Sequence, residues 1–147
     1  MNEELVQDGL IVFNRQDVEP FEMANLQKIL DVSLKARNEL RERPGAILRE
    51  LDEIEITLLD DPAIARVHSE YFDDPSATDV ITFEHGEILI STETARRQSK
   101  KFKTDFLKEV TLYAIHGLAH LSGYDDLEKE ARKEMTKAQE ELLEKFW

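Results

Sequence analysis

The segment that decides the fold runs from residue 113 to residue 126 and reads Tyr113-Ala114-Ile115-His116-Gly117-Leu118-Ala119-His120-Leu121-Ser122-Gly123-Tyr124-Asp125-Asp126. His116 and His120 are four residues apart, so on an α-helix they lie on one face and can offer their imidazole nitrogens to a single ion. Gly123 is placed to end that helix, because glycine adopts at little cost the left-handed conformation that turns the chain back. An aspartate beyond the turn could then face both histidines. The spacing predicts a metal site.

Either of two neighbouring aspartates could be the third ligand of this site. On a straight helix Asp126 would lie about 240° round the axis from His120, so the helix must end before Asp126 can join the histidines. Asp126 is the expected third ligand, and Asp125 is the alternative. Asp125 also has a different interpretation, since with Glu128 it has the form of a capping box for the next helix. The alternative for the histidines is a pair of satisfied core residues on an apolar helix.

Composition limits the classes of protein to which the chain can belong. The 147 residues suit a single domain over residues 1–147 that can bury a core without disulfides. Cysteine is absent, which leaves His, Asp and Glu as metal ligands. The acidic N-terminus is unlike a signal peptide, and no apolar run approaches the ~20 residues of a membrane span, so we expect a cytoplasmic protein with no membrane partner. The net charge of −13 argues against broad, nonspecific nucleic-acid binding.

The pattern of apolar residues predicts four strands and five helices. Strands are expected at 10–14, 54–58, 78–83 and 86–91, with the last two joined as a hairpin. Helices are expected at 21–42, 60–71, 92–102, 105–122 and 127–145. The helix with the histidines is the most apolar, so it should be central. Strands interleaved with helices predict an α+β or α/β domain with a small mixed sheet.

Three segments, in order along the chain, resemble the motifs of one family. The segment His116-Gly117-Leu118-Ala119-His120-Leu121-Ser122-Gly123-Tyr124-Asp125-Asp126 is similar to the signature H-G-x-x-H-x-x-G-Y-D-H of the YbeY family of bacterial metal-dependent endoribonucleases. Residues 78–83, Thr-Asp-Val-Ile-Thr-Phe, resemble its T-D-V-L-S-F strand, and residues 86–91, Gly-Glu-Ile-Leu-Ile-Ser, resemble its G-D-I-x-I-S strand. The resemblance covers most of the chain in order and length.

This resemblance implies an α+β fold, with a small mixed four-stranded sheet packed with about five helices around the central histidine-bearing helix. It also implies a single-strand-specific endoribonuclease that acts in ribosomal RNA maturation and ribosome quality control. Its partners would be single-stranded RNA and the ribosome, and its cofactor one divalent ion, commonly zinc, without an organic cofactor. The ion would be held by His116, His120 and Asp126, which would thereby be the catalytic residues.

Two positions depart from the family pattern. The third histidine of the signature is Asp126 here, which lowers the net charge of the site by one and predicts a reduced or retuned activity. An arginine that the family carries before the T-D-V strand falls on Phe72. Arg66 is the nearest arginine upstream and is a further candidate for binding RNA.

Two other functions compete with this interpretation. In H-E-x-x-H zinc peptidases the Glu after the first histidine is the general base, and that position is Gly117 here. The second is a non-catalytic module of the same fold that binds the ribosome or a protein, with an ion that only stabilises the structure. Asp126 and Phe72 both favour this second alternative.

The helix predicted over 92–102 and the residue after it concentrate positive charge. Arg96, Arg97, Lys100, Lys101 and Lys103 are five of the 19 basic residues. Such a stripe is consistent with an ordinary solvated face. Because the rest of this acidic chain repels phosphate, however, the stripe is the expected docking surface for RNA.

Overall fold

The computed structural model describes residues 3–147, and a five-stranded mixed sheet is its framework. The strands are β1 (Glu3–Gln7), β2 (Leu10–Asn14), β3 (Ile54–Leu59), β4 (Val80–Phe83) and β5 (Glu87–Ser91). They lie in the order β1-β2-β3-β5-β4. The three central strands are parallel, and the edge strands β1 and β4 pair antiparallel with their neighbours. The predicted hairpin of β4 and β5 is therefore confirmed, while residues 1 and 2 of the acidic N-terminus lie outside the described residues.

The sheet has one strand more than the four predicted. β1 was missed because its sequence, Glu-Glu-Leu-Val-Gln, has only two apolar residues and lies at an edge, where polar side chains can face water. Asp8 and Gly9 join it to β2 with positive φ angles of 50° and 78°, as a two-residue type I′ turn requires. This Asp-Gly pair is the sequence signal that could have revealed the strand.

The helices agree in number with the prediction and differ from it by a few residues at their ends. They are α1 (Met23–Glu39), α2 (Asp61–Phe72), α3 (Thr92–Phe102), α4 (Phe106–Leu121) and α5 (Lys129–Phe146), with a short 3₁₀ helix at Leu48–Glu50. Aspartates cap two of them, because the carboxylates of Asp60 and Asp105 accept hydrogen bonds from the backbone of the first turn, both at 2.9 Å. None of the described helices is both long enough and apolar enough to cross a membrane.

The predicted capping box of Asp125 and Glu128 is wrong. The N-cap of α5 is Glu128 itself, which makes no capping hydrogen bond through its side chain. Asp125 instead accepts a hydrogen bond from the backbone N–H of Leu127 at 3.2 Å. The physical reason is that the residues after Gly123 return Asp126 to the histidines, so the helix begins only after that return is complete.

Helix α4 is central, as predicted, and contacts α1, α3 and α5 as well as β4 and β5. Ile88 of β5 and Leu118 of α4 belong to one buried core. Gly117 allows the close approach of helix and strand, because a Cβ added there would lie 2.6 Å from Cγ2 of Ile88. This approach places the two histidines of α4 beside β4 at the edge of the sheet.

Helix α2 covers the opposite face of the sheet. Its Ile64 is buried in a separate cluster with Ile81 of β4 and Leu89 of β5. Side chains alternate between the two faces of a strand, so Val80 and Thr82 of β4 point to the side of α4. Strand β4 therefore has one face toward the histidines and one toward α2.

Candidate metal centre and cleft

Helix α4 ends in a hydrogen-bonded glycine turn. Gly123 has φ +96°, which confirms the predicted positive φ. Its N–H donates to the carbonyl of His120 and the N–H of Tyr124 donates to the carbonyl of Ala119, both at 3.0 Å. This pair of bonds defines a Schellman motif. A Cβ at Gly123 would lie 2.7 Å from the carbonyl oxygen of Arg43, so the turn is also tightly packed.

The turn brings Asp126, rather than Asp125, to the histidines. Oδ2 of Asp126 lies 3.8 Å from Nε2 of His116 and 3.6 Å from Nε2 of His120. One ligand atom from each of the three residues lies within 4.8 Å of the other two. Asp125 is exposed, and its carboxylate is hydrogen-bonded to the backbone of Leu127. The geometry is that of two imidazoles and one carboxylate converging on a common point.

A glutamine from α5 fixes the orientation of His116. Oε1 of Gln139 lies 2.9 Å from Nδ1 of His116, and because the amide oxygen can only accept, Nδ1 carries the proton. In the neutral ring Nε2 then carries the free lone pair, and this nitrogen lies on the side of Asp126. No pattern in the sequence pointed to Gln139, although metal-binding histidines in proteins commonly have such a partner.

The surroundings of His120 disfavour its protonated form. Burial lowers the pKa of His120, and charge repulsion between the rings of His116 and His120 lowers it further. Asp126 and a backbone hydrogen bond to Tyr124 oppose this shift without cancelling it. A neutral imidazole is the form that can donate its lone pair to a metal.

The three residues lie in a cleft of about 590 Å³. One wall is the end of α4, another is the loop with Gly45 and Ile47, and the third is β4 with its flanking residues, namely Thr78, Asp79, Val80, Thr82 and Glu84. Asp79 is fixed there by a 2.8 Å hydrogen bond from the backbone N–H of Val80 to its Oδ1. Asp79, Glu84 and Asp126 give the cleft three carboxylates, and the described lining residues include no lysine or arginine. The cleft is therefore built to attract a cation.

Comparison with known proteins places this arrangement in a family. The model of the family described as endoribonuclease YbeY matches residues 11–147. The chain belongs to the YbeY family of endoribonucleases. Membership makes the chain an endoribonuclease, a hydrolase that acts on RNA.

Individual relatives agree with this assignment. The chain is similar to endoribonuclease YbeY of Protochlamydia amoebophila, at 32% identity over 79% of this chain and 78% of the relative. It is also similar to that of Bacillus subtilis, at 32% identity over 71% of this chain and 78% of the relative. The solution structure of a Thermotoga maritima protein superimposes with a TM-score of 0.61 at 24% identity, covering 88% of this chain and 85% of that one, and so shares the fold.

Two of the basic residues predicted to bind RNA are engaged within the fold. Arg96 donates to Oε1 of Glu19 at 2.9 Å, and its guanidinium carbon lies 3.8 Å from the centre of the Phe106 ring. Arg97 donates to Oδ2 of Asp61 at 2.7 Å. The sequence did not reveal these pairs, because both acids lie far from α3 along the chain.

The remaining basic candidates are exposed and lie outside the cleft. Lys100, Lys101 and Lys103 are exposed at the end of α3, where Lys103 takes a left-handed conformation past the last turn. Arg66 is exposed on α2, and that helix packs on the face of the sheet opposite to the histidines. The structure brings none of the six basic candidates to the lining of the cleft. Their contact with RNA stays a prediction.

The structure removes the physical basis of the peptidase alternative. A general base on the helix would have to stand at Gly117, where even a Cβ would lie 2.6 Å from Ile88. A glutamate side chain cannot be accommodated in that contact.

Proposed function

We propose that His116, His120 and Asp126 bind one divalent ion, zinc in particular, and that the cleft hydrolyses single-stranded RNA in the maturation of ribosomal RNA. The observation that carries the assignment is the convergence of three ligand atoms within 4.8 Å at the wall of the cleft. The proposed setting is the cytoplasm, with the ribosome as partner in RNA maturation and quality control. The family assignment supplies the RNA substrate, and the geometry supports these three residues as its metal ligands.

The chemistry of the donors fits such an ion. Two neutral imidazoles and one carboxylate are a common protein ligand set for catalytic zinc, which leaves a position open. The hydrogen bond between Gln139 and His116 holds the ring in the tautomer that binding needs. When bound, the ion would lower the pKa of a water toward ~7 and polarise a phosphoryl oxygen.

The side chains of the cleft explain why hydrolysis would depend on the ion. Without a bound cation, Asp79, Glu84 and Asp126 would make the cleft negative, and such a surface repels the phosphates of RNA. Asp79 is held at the wall by the backbone of Val80, and its carboxylate is a suitable acceptor for the proton of the attacking water. In this proposal the three ligands position the cation, and Asp79 acts as the general base that accepts the proton.

The test compares metal content and RNA cleavage in matched histidine variants. Wild-type protein should hold one equivalent of metal and cut single-stranded RNA until a chelator is added. His120→Ala should lose both properties, whereas His68→Ala, a histidine of α2 outside the cleft, should keep its metal. Stoichiometric metal in His120→Ala would overturn the ligand set. Bound metal without cleavage would favour the non-catalytic module instead. That alternative is motivated by Asp126, which stands where the family signature has a histidine.

A further inference from the structure

Four aromatic side chains form an exposed patch beside the edge of the sheet. This aromatic patch consists of Tyr71 and Phe72 of α2, Phe83 of β4 and His85 in the turn after β4. Phe83 is at its centre: its ring centroid lies 6.2 Å from that of Phe72 at an interplanar angle of 26°, and 5.3 Å from that of His85 at 11°. Tyr71 meets it edge-on, at 5.2 Å and 69°. Three rings are therefore nearly parallel, with the fourth across them.

Of these four rings, only Phe83 packs against the hydrophobic core. Phe83 packs at the margin of the buried cluster of Ile64, Ile81 and Leu89. Tyr71 and Phe72, however, are 63% and 52% exposed. Clustered apolar exposure of this kind commonly marks a binding surface.

The position of the patch connects it with the cleft. Val80 and Thr82 of β4 line the cleft, while Phe83, next in the strand, points to the other face. Glu84, the residue that follows, lines the cleft again. Because β4 is an edge strand, a chain that leaves the cleft across this edge reaches the aromatic patch directly.

We propose that the aromatic patch stacks unpaired nucleobases of the RNA whose backbone enters the cleft. The inference rests on the proposed function and deepens it, since it assigns a surface that selects single strands. Stacking suits an acidic protein because it needs no positive charge, and every base presents a π-face. Bases within a duplex are already stacked and paired, so the patch would discriminate against them.

Binding of a short single-stranded RNA tests the proposal, measured by fluorescence anisotropy at low salt in the presence of a chelator, so that no cleavage occurs. Tyr71→Leu with Phe72→Leu removes two exposed rings and keeps apolar side chains of similar size. Affinity should fall about tenfold. The conservative double variant, Tyr71→Phe with Phe72→Tyr, should restore it. An abasic RNA of equal length should bind wild type and the leucine variant equally, because it has no bases to stack.

Two results would overturn the proposal. One is wild-type affinity in the leucine variant, which would leave the patch to another occupant such as a second copy of the chain. The other is an equal loss for intact and abasic RNA, which would show that the rings act on the backbone. Metal content of the leucine variant should match wild type, which verifies the fold. Failure of the proposed function would be seen separately, as metal-loaded wild type that does not cut RNA.

Discussion

Replacing Gly123 by alanine should both destabilise the protein and weaken its metal binding. At φ +96° a residue with a Cβ costs roughly 1 kcal/mol more than glycine. The new Cβ would also lie 2.7 Å from the carbonyl oxygen and 2.9 Å from the carbonyl carbon of Arg43. Those are backbone atoms, and the N–H of Arg43 donates to the carbonyl of Ser122 at 2.9 Å, so they cannot move freely. Overpacking of this kind costs about 1 to 3 kcal/mol.

The combined loss expected for Gly123→Ala is therefore about 2 to 4 kcal/mol in the free energy of unfolding. Gly45 provides a matched control, because it too has a positive φ, of +87°, but a Cβ there would meet nothing within 4 Å. Gly45→Ala should cost only the backbone strain, about 1 kcal/mol. The difference between the two variants isolates the contact with Arg43.

Urea unfolding in the presence of a chelator measures both variants without a contribution from metal binding. Metal affinity is then measured by competition with a chromophoric chelator. Gly123→Ala should bind metal more weakly, since the displaced turn carries Asp126 away from the histidines. If Gly123→Ala were no less stable than Gly45→Ala, the contact of this turn with Arg43 would not constrain residue 123 as proposed.

Four further predictions concern two residues near the site and three residues of α2 and α3. Gln139→Leu should lower metal affinity by roughly 10- to 100-fold through loss of the bond to His116, whereas Gln27→Leu, the same change on the exposed face of α1, should leave it unaltered. Asp79→Asn keeps an oxygen that can accept the N–H of Val80, so this variant should bind metal normally. It should cut RNA at least ~100-fold more slowly, because the proton acceptor is lost. An unchanged rate would show that Asp79 does not accept the proton. If both lysines contact phosphate, Lys100→Glu with Lys101→Glu should reduce by about 1.4 the slope of the log of the RNA binding constant against the log of the salt concentration. An unchanged slope would show that these lysines do not contact RNA. Burial raises the pKa of Asp61, but hydrogen bonds from Arg97, Ser91 and Thr94 outweigh this effect and hold the pKa below its usual value. The wild type should therefore be more stable than Asp61→Asn at neutral pH, and this difference in stability should vanish as the pH falls through the lowered pKa. A difference that persists in acid would contradict a stabilising role of the ion pair.

The sequence predicted most where the relevant interactions are local. The C-terminal end of α4 followed from Gly123, because a glycine turn acts within a few residues. The convergence of His116 and His120 followed from helical periodicity alone. Strand β1 was missed for a different reason, because an edge strand has few apolar residues to reveal it.

The spacing of residue types along the sequence could not predict contacts between residues that are far apart in the chain. Gln139 meets His116 only because α5 packs against α4, and no spacing between the two residues encodes that contact. The engagement of Arg97 by Asp61 is of the same kind. Local charge counting treats every arginine of α3 as free, whereas tertiary structure decides which of them remain available.

The C-terminal end of α4 contributes directly to the electrostatics of the site. The C-terminus of a helix carries partial negative charge, and His120 lies in the last turn, so the helix dipole adds to the carboxylates of the cleft in favouring a cation. The same arrangement disfavours phosphate as long as the cleft holds no cation. RNA binding within the cleft should therefore be coupled to metal binding, while contacts made by the aromatic patch and by Lys100 and Lys101 should be independent of the ion. This division would let the protein hold a single strand outside the cleft and admit its backbone only to a site that is ready to cut.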